Sequence, residues 1–328
     1  MKRWLNIEFI LLAVILLTAI IALIMLPGKP ATPALSDDVS TTQETTQTIP
    51  TETTEPEPTW MELPEDRKLA AKQAFVYDCQ AGKFTYLKGK ENDKVYPASI
   101  TKIFTAYIAL QYLEPDTVLK AGDALQLVGA GSSVAEIKKG DKLTVKMLVE
   151  AMLLPSGNDA AYMLAVEVGR KIQKDDSIGA WYAVDVFLKE MNKQAKALGM
   201  TGTHFTNPDG YHDSDHYTTF SDMVIMSKLA MENETIMAYA KVAEEQVTFE
   251  NGTTKLWENT NALVNPGSEY YCPIATGLKT GQTPSAGSCL LSSFDKKGSK
   301  YIIGVFGCPK VEDRFEDTLQ LLNEALGK

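Results

Sequence analysis

Residues 96–102 read Tyr-Pro-Ala-Ser-Ile-Thr-Lys, and apolar residues at helical spacing follow from Ile100 onward. Ser99 therefore stands where a helix is predicted to begin, and Lys102 follows three residues later. Side chains three residues apart lie on the same face of a helix. This stretch predicts a serine and a lysine held side by side at the start of an apolar helix.

Two further short motifs follow in the chain. Ser-Gly-Asn at 156–158 lies between two predicted helices, and Lys-Thr-Gly at 279–281 ends a predicted strand. The order Ser-x-x-Lys, Ser-x-Asn, Lys-Thr-Gly is typical of penicillin-binding proteins and class A β-lactamases. The first spacing alone is weak evidence of function, because residues 293–296 repeat it in a predicted polar turn. Together the three motifs predict one active site.

These residue types suit acyl transfer through a serine. A serine hydroxyl is a weak nucleophile that needs an adjacent base. Lys102 can accept the proton of Ser99 only when neutral, so its pKa must fall from about 10.4. Burial and a nearby cation both lower a lysine pKa, and Lys279 is the expected cation. Ser156 is the candidate to relay a proton to the leaving amine, and Asn158 is the candidate to hold a substrate amide.

The reaction also needs donors for the oxyanion, and it needs no metal. The backbone N–H groups of Ser99 and Gln282 are the candidate oxyanion donors. The four cysteines contain no Cys-x-x-Cys pair, so zinc spacing is missing. His212 and His216 have i, i+4 spacing, but the residues between them do not match a zinc peptidase. We therefore expect neither a metal nor a cofactor.

The order of predicted elements indicates the fold class. Strands are predicted near both ends of the globular part, at 72–79, 83–90, 275–281, 287–294 and 301–307. Helices are predicted from 100, at 144–154, 159–168 and 180–198, from 219, and at 312–326. A hairpin is predicted around Asn251-Gly252. This order predicts an α/β (α+β) architecture, with a sheet built from both ends and a helical lobe within about 116–240.

The N-terminus carries an export signal. Residues 9–26 are an uncharged apolar run, preceded by Lys2 and Arg3 in a short segment, 1–8. About 20 apolar residues span a bilayer as a helix, and positive charge ahead of them favours a cytoplasmic N-terminus. A cleaved signal peptide is the alternative, although its apolar region is usually shorter. A retained segment predicts a single-pass protein of the cell membrane with an extracytoplasmic catalytic domain. A cleaved segment predicts a secreted protein.

Composition separates a linker from a globular domain. Residues 27–66 are rich in Thr, Pro and Glu and nearly lack apolar side chains, so this linker is predicted to be disordered. Residues 67–328 form the predicted catalytic domain. The chain of 328 residues has a formal net charge of −10, and no basic stripe stands out. A nucleic-acid partner is therefore not expected.

The chain resembles the serine-type D-Ala-D-Ala carboxypeptidases, the low-molecular-mass penicillin-binding proteins of the peptidase S11 family. Segments of the sequence that resemble the family are 96–102, 154–160, 207–210, 259–261 and 277–281. The resemblance implies the β-lactamase/DD-peptidase-like fold, with a five-stranded antiparallel sheet flanked by helices, beside an all-helical lobe. The active site would lie between the sheet and that lobe.

The same resemblance assigns roles to the motif residues. It implies that Ser99 is the acylated nucleophile and Lys102 its base, with Ser156 and Asn158 on the helical side. Lys279, Thr280 and Gly281 would line the sheet side, and Arg314 would bind the terminal carboxylate of the substrate. The implied substrate is the peptidoglycan stem pentapeptide, which loses its last D-Ala, and β-lactams would acylate the serine. This chain has Gln282 at a position where relatives often have an aromatic residue or His.

Other functions remain open from the residues alone. A class A-like β-lactamase would share the acylation residues, but no Glu-x-x-Leu-Asn segment lies between Ser156 and Lys279 to position a water. A DD-endopeptidase or a weak transpeptidase would use the same motifs. A non-catalytic wall-binding protein is a further alternative, yet the chain retains every motif residue.

Overall fold

The computed structural model describes residues 61–63 and 68–327. The predicted segments 1–8 and 9–26, and the predicted linker apart from residues 61–63, lie outside the described residues. Within the described ranges, no helix combines the length and apolar character that crossing a membrane requires.

Nine strands are described, and five of them form the main sheet. They are β1 Gln73–Asp78, β2 Lys83–Lys88, β3 Val118–Lys120, β4 Lys142–Thr144, β5 Glu244–Thr248, β6 Thr254–Glu258, β7 Ala275–Thr283, β8 Gly287–Lys296 and β9 Ser299–Cys308. The main sheet has the order β2-β1-β9-β8-β7, and every neighbouring pair is antiparallel. The predicted five-stranded antiparallel sheet, built from both ends of the domain, is confirmed.

Seven α-helices are described in the same residues. They are α1 Thr101–Tyr112, α2 Val145–Leu153, α3 Asn158–Gln173, α4 Ala180–Ala197, α5 Phe220–Glu232, α6 Glu234–Ala240 and α7 Asp313–Ala325. Eight residues of α1 are buried, which makes it a central helix rather than a surface one. Thr144 and Thr219 accept hydrogen bonds that cap α2 and α5.

The sheet separates two hydrophobic cores because successive side chains of a strand point to opposite faces. On β1, Phe75 and Tyr77 pack into the core that contains helices α1 to α5. Ala74 and Val76 pack on the other face, with Phe315 and other residues of α7. On β7, Lys279 pairs with Leu291 of the first core, so this residue of the third motif lies on the face that meets helices α1 to α5.

Two differences from the predicted elements have physical causes. Helix α3 continues to Gln173, five residues beyond the predicted end at Val168. A Cβ at Gly169 would overlap the backbone of Ala183 on α4, so this glycine allows two helices to pack closely instead of ending one. The short strands β3 and β4 and helix α6 were not predicted, because segments of three to seven residues show too little periodicity.

Candidate active site

Ser99 lies in a short 3₁₀ turn, Ala98–Ile100, that leads directly into α1. The Nζ atom of Lys102 lies 2.8 Å from Ser99 Oγ and 2.8 Å from the backbone oxygen of Asp209. The Lys102 side chain is completely buried, whereas Ser99 borders an open cleft. The predicted contact between the serine and the lysine is therefore present.

The environment of Lys102 favours its neutral form. Burial lowers the pKa of Lys102 to about 8, because the ammonium group loses its hydration, while the charges of Asp209 and Asp159 oppose the shift. We predicted from the sequence that the charge of Lys279 also lowers the pKa of Lys102. Lys279 is not among the groups that shift this pKa. The charge of Lys102 instead helps to lower the pKa of Lys279. About half of the Lys102 amines are thus neutral at pH 8.

The loop that contains Asp209 contacts Lys102, although the sequence analysis assigned no role to this loop. Asp209 is completely buried, and its Oδ2 atom has no hydrogen-bond partner among the described residues. Thr105 Oγ1 donates to the Pro208 oxygen over 2.6 Å and so fastens the loop to α1. Burial raises the pKa of Asp209, and the charge of Lys102 lowers it. Asp209 stands 107 residues from Lys102, too far for sequence spacing to reveal the contact.

We expect Asp209→Asn to shift the acid limb of the pH profile of kcat/KM by about one unit to lower pH. The charge of Asp209 raises the pKa of Lys102, so its removal lets the lysine deprotonate at lower pH. The substitution leaves the backbone oxygen that binds Lys102 in place. The measurement is kcat/KM for a D-Ala-D-Ala peptide across pH 5–10. An unmoved acid limb would mean that Asp209 does not influence the charge of Lys102.

The second motif lies between α2 and α3. Ser156 is buried and has a left-handed backbone, with φ of 64°, which is a strained conformation for a residue other than glycine. Asn158 opens α3, and its Oδ1 atom is buried without a hydrogen-bond partner among the described residues. The Asp159 carboxylate accepts from the backbone N–H groups of Ala135 and Ile137 at 2.9 and 3.0 Å. The loop before β4 is thereby pinned against this motif.

The third motif lies on the edge strand β7 of the main sheet. Lys279 is completely buried, with Nζ 3.3 Å from the Thr280 oxygen and 3.5 Å from Thr260 Oγ1. The hydroxyls of Thr260 and Thr280 are 2.6 Å apart. A Cβ at Gly281 would lie 2.7 Å from the Pro97 oxygen and 3.3 Å from the Ser99 nitrogen, so the glycine lets the strand approach the turn that carries the serine.

Arg314 is the second residue of α7, and its charge acts on Lys279. The side chain is buried, and its Nε atom has no hydrogen-bond partner among the described residues. Its guanidinium carbon lies 4.8 Å from the centre of the Phe315 ring. Burial and the charges of Lys102 and Arg314 lower the pKa of Lys279 well below its usual value. A buried guanidinium that has an unpaired Nε atom and acts electrostatically on a buried lysine is a suitable receptor for a carboxylate.

Ser99 of the first motif, Asn158 of the second and Gln282, the residue that follows the third, border one cavity, which we call the main cleft. It has a volume of about 470 Å³, and its lining includes Ser99, Ser132, Asn158, Tyr211, Gln282 and Ser285. Volumes of about 300–1,000 Å³ are usual for ligand sites. Gln282 follows the third motif and lines this cleft together with Ser99, while its predicted role as an oxyanion donor stays a prediction.

The histidine that had metal-like spacing has a structural contact instead. His216 Nδ1 accepts from the Thr206 backbone N–H at 3.1 Å, so the neutral ring carries its proton on Nε2. Nε2 lies 2.8 Å from Thr101 Oγ1 and therefore donates to it. Burial lowers the pKa of His216 to about 3. The described residues contain no cluster of three or more His, Cys, Asp or Glu that could hold a metal ion.

Comparison with known proteins shows which family shares these features. The family model described as D-alanyl-D-alanine carboxypeptidase, Peptidase S11, matches residues 59–310. The D-alanyl-D-alanine carboxypeptidase DacF of Bacillus subtilis is 31% identical over 263 residues, which are 79% of this chain. The match spans 62% of the length of the Bacillus protein.

Two solved structures resemble the chain in three dimensions. The Streptomyces K15 DD-transpeptidase has a TM-score of 0.72 at 28% identity, covering 80% of this chain and 99% of that one. Penicillin-binding protein D2 of Listeria monocytogenes, in its ampicillin-bound form, has a TM-score of 0.63 at 28% identity. That match covers 79% of this chain and 98% of the Listeria chain.

Proposed function

The chain belongs to the D-alanyl-D-alanine carboxypeptidase family, Peptidase S11, and from that premise we propose that it is a serine carboxypeptidase of peptidoglycan. It removes the terminal D-Ala from stem pentapeptides through an acyl-enzyme. One observation carries the proposal: the completely buried amine of Lys102 lies 2.8 Å from Ser99 Oγ. A serine and a neutral lysine at hydrogen-bond distance form a nucleophile with its base.

The proposed reaction begins with acylation. Ser99 Oγ attacks the carbonyl carbon of the penultimate D-Ala while neutral Lys102 takes the hydroxyl proton. The oxyanion is stabilised by the backbone N–H groups of Ser99 and Gln282. When the C–N bond breaks, Ser156 passes a proton to the leaving amine of D-Ala. Water then attacks the ester, and Ser99 recovers its proton.

Substrate binding completes the proposal. Asn158 holds a substrate amide, since its buried Oδ1 atom offers an unsatisfied acceptor in the cleft. Lys279, Thr280 and Arg314 bind the terminal carboxylate, and the small Gly281 lets the strand lie close to the serine. Burial lowers the pKa of Lys279 well below its usual value, and a substrate carboxylate would favour its charged form.

We expect Arg314→Ala to reduce kcat/KM about a hundredfold for a peptide that ends in a free D-Ala carboxylate. The guanidinium is buried and lacks a partner at Nε, so it is free to pair with a carboxylate. A matched peptide that ends in a carboxamide serves as control. The variant should process the carboxamide peptide nearly as well as the wild-type protein does. Equal losses on both peptides would show that Arg314 supports the fold rather than the carboxylate.

β-Lactams are the proposed covalent inhibitors. Similarity to the ampicillin-bound Listeria protein supports this, and so does the main cleft, which Ser99 and Asn158 both border. The β-lactam ring would be opened by Ser99 through the same attack that acylates the enzyme.

Incubation of the full chain with purified pentapeptide muropeptides tests the proposed activity. Mass spectrometry should show products that have lost one D-Ala. Unchanged muropeptides, or rapid turnover of penicillin instead, would overturn the carboxypeptidase assignment.

The location in the cell is a further part of the proposal. We propose that residues 9–26 anchor the protein in the cell membrane, with the catalytic domain outside, because this run is long, apolar and uncharged. N-terminal sequencing of protein extracted from membranes should give an intact N-terminus. A mature N-terminus downstream of residue 26 would identify a removed signal peptide.

A further inference from the structure

The amine of Lys279 is buried without a strong hydrogen bond. The side chain is completely buried, and its Nζ atom lies 3.3 Å from the Thr280 oxygen and 3.5 Å from the hydroxyls of Thr260 and Thr280. Hydrogen bonds from N–H groups to oxygen are usually about 2.7–3.2 Å long. The contacts that the described residues offer this amine are therefore weak ones.

The charges that act on Lys279 are both positive. They belong to Lys102 and Arg314, and no carboxylate is among the groups that shift the pKa of Lys279. Burial and these two charges lower that pKa well below its usual value. Before a substrate binds, the site therefore holds a neutral amine at a place where a negative charge would be stabilised.

Hydrogen-bond donors for such a negative charge are already present. The guanidinium of Arg314 is buried, and its Nε atom has no partner among the described residues. The hydroxyls of Thr260 and Thr280 are 2.6 Å apart, so one of them donates to the other and the second proton remains free beside Nζ. An anion attached to Nζ would form charge-assisted hydrogen bonds with these groups.

A small neutral molecule has a route to this amine. Thr260 lines a cavity of about 380 Å³, and its hydroxyl lies 3.5 Å from Nζ of Lys279. CO₂ carries no charge, and it has the size of the carboxylate group that the proposed function brings to the same place. The site is therefore accessible to CO₂ if it is accessible to the substrate.

We propose that the amine of Lys279 binds CO₂ reversibly as a carbamate. The neutral amine attacks the carbon of CO₂, a C–N bond forms, and an electron pair of one C=O bond moves to its oxygen. One amine proton leaves to solvent, so the side chain becomes an N-carboxylysine with a single negative charge. The carbamate pairs with Arg314 and occupies the receptor of the terminal carboxylate. For its effect on turnover the inference rests on the proposed function: CO₂ competes with the substrate.

Lys102 is the internal comparison, because it is equally buried but has different neighbours. Its Nζ atom has two short contacts, each 2.8 Å long, with Ser99 Oγ and the Asp209 oxygen. The charges that act on it, those of Asp209 and Asp159, are negative. They would repel a carbamate on Lys102. The proposal therefore assigns the modification to only one of these two buried lysines.

Trapping followed by peptide mapping locates the carbamate. The full chain is incubated at neutral pH with bicarbonate that carries a heavy carbon isotope, and a trialkyloxonium salt then converts carbamates to stable esters. Mass spectrometry of the digested protein should find the labelled ester on Lys279. Lys102 and Lys120, which is exposed on β3, should remain unlabelled. The wild-type chain is sufficient for this step, so the result does not depend on the folding of a variant.

Substitution of Arg314 tests the partner of the carbamate. Arg314→Ala should lower the labelled fraction of Lys279 about tenfold, because the anion loses a charge-assisted hydrogen bond. Arg314→Lys is the matched variant, since it keeps a positive charge, and it should retain most of the label. Equal labelling of Arg314→Ala and the wild-type chain would show that Arg314 does not hold a carbamate.

The effect on turnover gives a quantitative check. If carbamate and substrate exclude each other, kcat/KM for a D-Ala-D-Ala peptide falls in proportion to the unmodified fraction of the enzyme. Bicarbonate that modifies about two thirds of Lys279 should thus lower kcat/KM about threefold and leave kcat at saturating peptide unchanged. The modified fraction is read from the carbamate signal in carbon NMR spectra, and sodium chloride of equal ionic strength is the control.

The outcomes separate this proposal from the proposed function. A chain without labelled ester on Lys279, or with as much on Lys102, would overturn the carbamate and leave the carboxypeptidase standing. Modification of Lys279 that does not change kcat/KM would overturn the competition with substrate. Failure to release D-Ala from the peptide would refute the carboxypeptidase function, whereas the labelling result does not depend on activity.

Discussion

Lys102→Arg is expected to lower kcat/KM for a D-Ala-D-Ala peptide by about a thousandfold. A guanidinium does not lose its proton in this pH range, so it cannot accept the proton of Ser99. It is also larger than an amine, and the site that holds Lys102 is completely buried. Lys120→Arg, at an exposed position of β3, is the matched control and should keep full activity.

The pH profile of the wild-type protein gives the same prediction an independent check. In the proposed mechanism the neutral form of Lys102 is the active one, and burial lowers the pKa of Lys102 to about 8. Acylation should therefore be slow at pH 6, rise through pH 8 and level off above it. Near-normal activity of Lys102→Arg, or a rate that does not change between pH 6 and pH 9, would exclude Lys102 as the base.

Ser99→Ala is expected to reduce hydrolysis of the same peptide by at least about 10⁴-fold, because no acyl-enzyme can form. The turn that carries Ser99 should keep its shape, since alanine removes a single atom. Ser293→Ala is the control, because Ser293 begins the second Ser-x-x-Lys spacing of the chain. It should remain active. Substantial activity of Ser99→Ala would mean that another residue is the nucleophile.

The two Ser-x-x-Lys spacings show what a short motif can predict. Residues three apart meet on a helix, and Lys102 lies within hydrogen-bond distance of Ser99. Ser293 and Lys296 both lie on strand β8, where residues three apart point to opposite faces. Ser293 is buried and its hydroxyl contacts Thr276 at 2.7 Å. The prediction of a polar turn at residues 293–296 is therefore wrong, and it is the geometry of a strand that keeps Ser293 and Lys296 apart.

Contacts between segments that are distant in the chain could not be predicted from the sequence. Asp209 contacts Lys102, and Thr260 contacts Lys279. Both contacts form only because the fold brings together segments that are far apart in the sequence. The resemblance to the family included residues 207–210 and 259–261, but it assigned no role in the reaction to them. The extent to which burial lowers the pKa of Lys102 could not be predicted from the sequence either, because it depends on packing from all sides.

The most direct test of the account is to identify the residue that a β-lactam acylates. The full chain is incubated with benzylpenicillin and digested, and the adduct is located by mass spectrometry. The account predicts one penicilloyl group, on the peptide that contains Ser99. An adduct on Ser156 or Ser293, or a chain that forms no adduct, would contradict it.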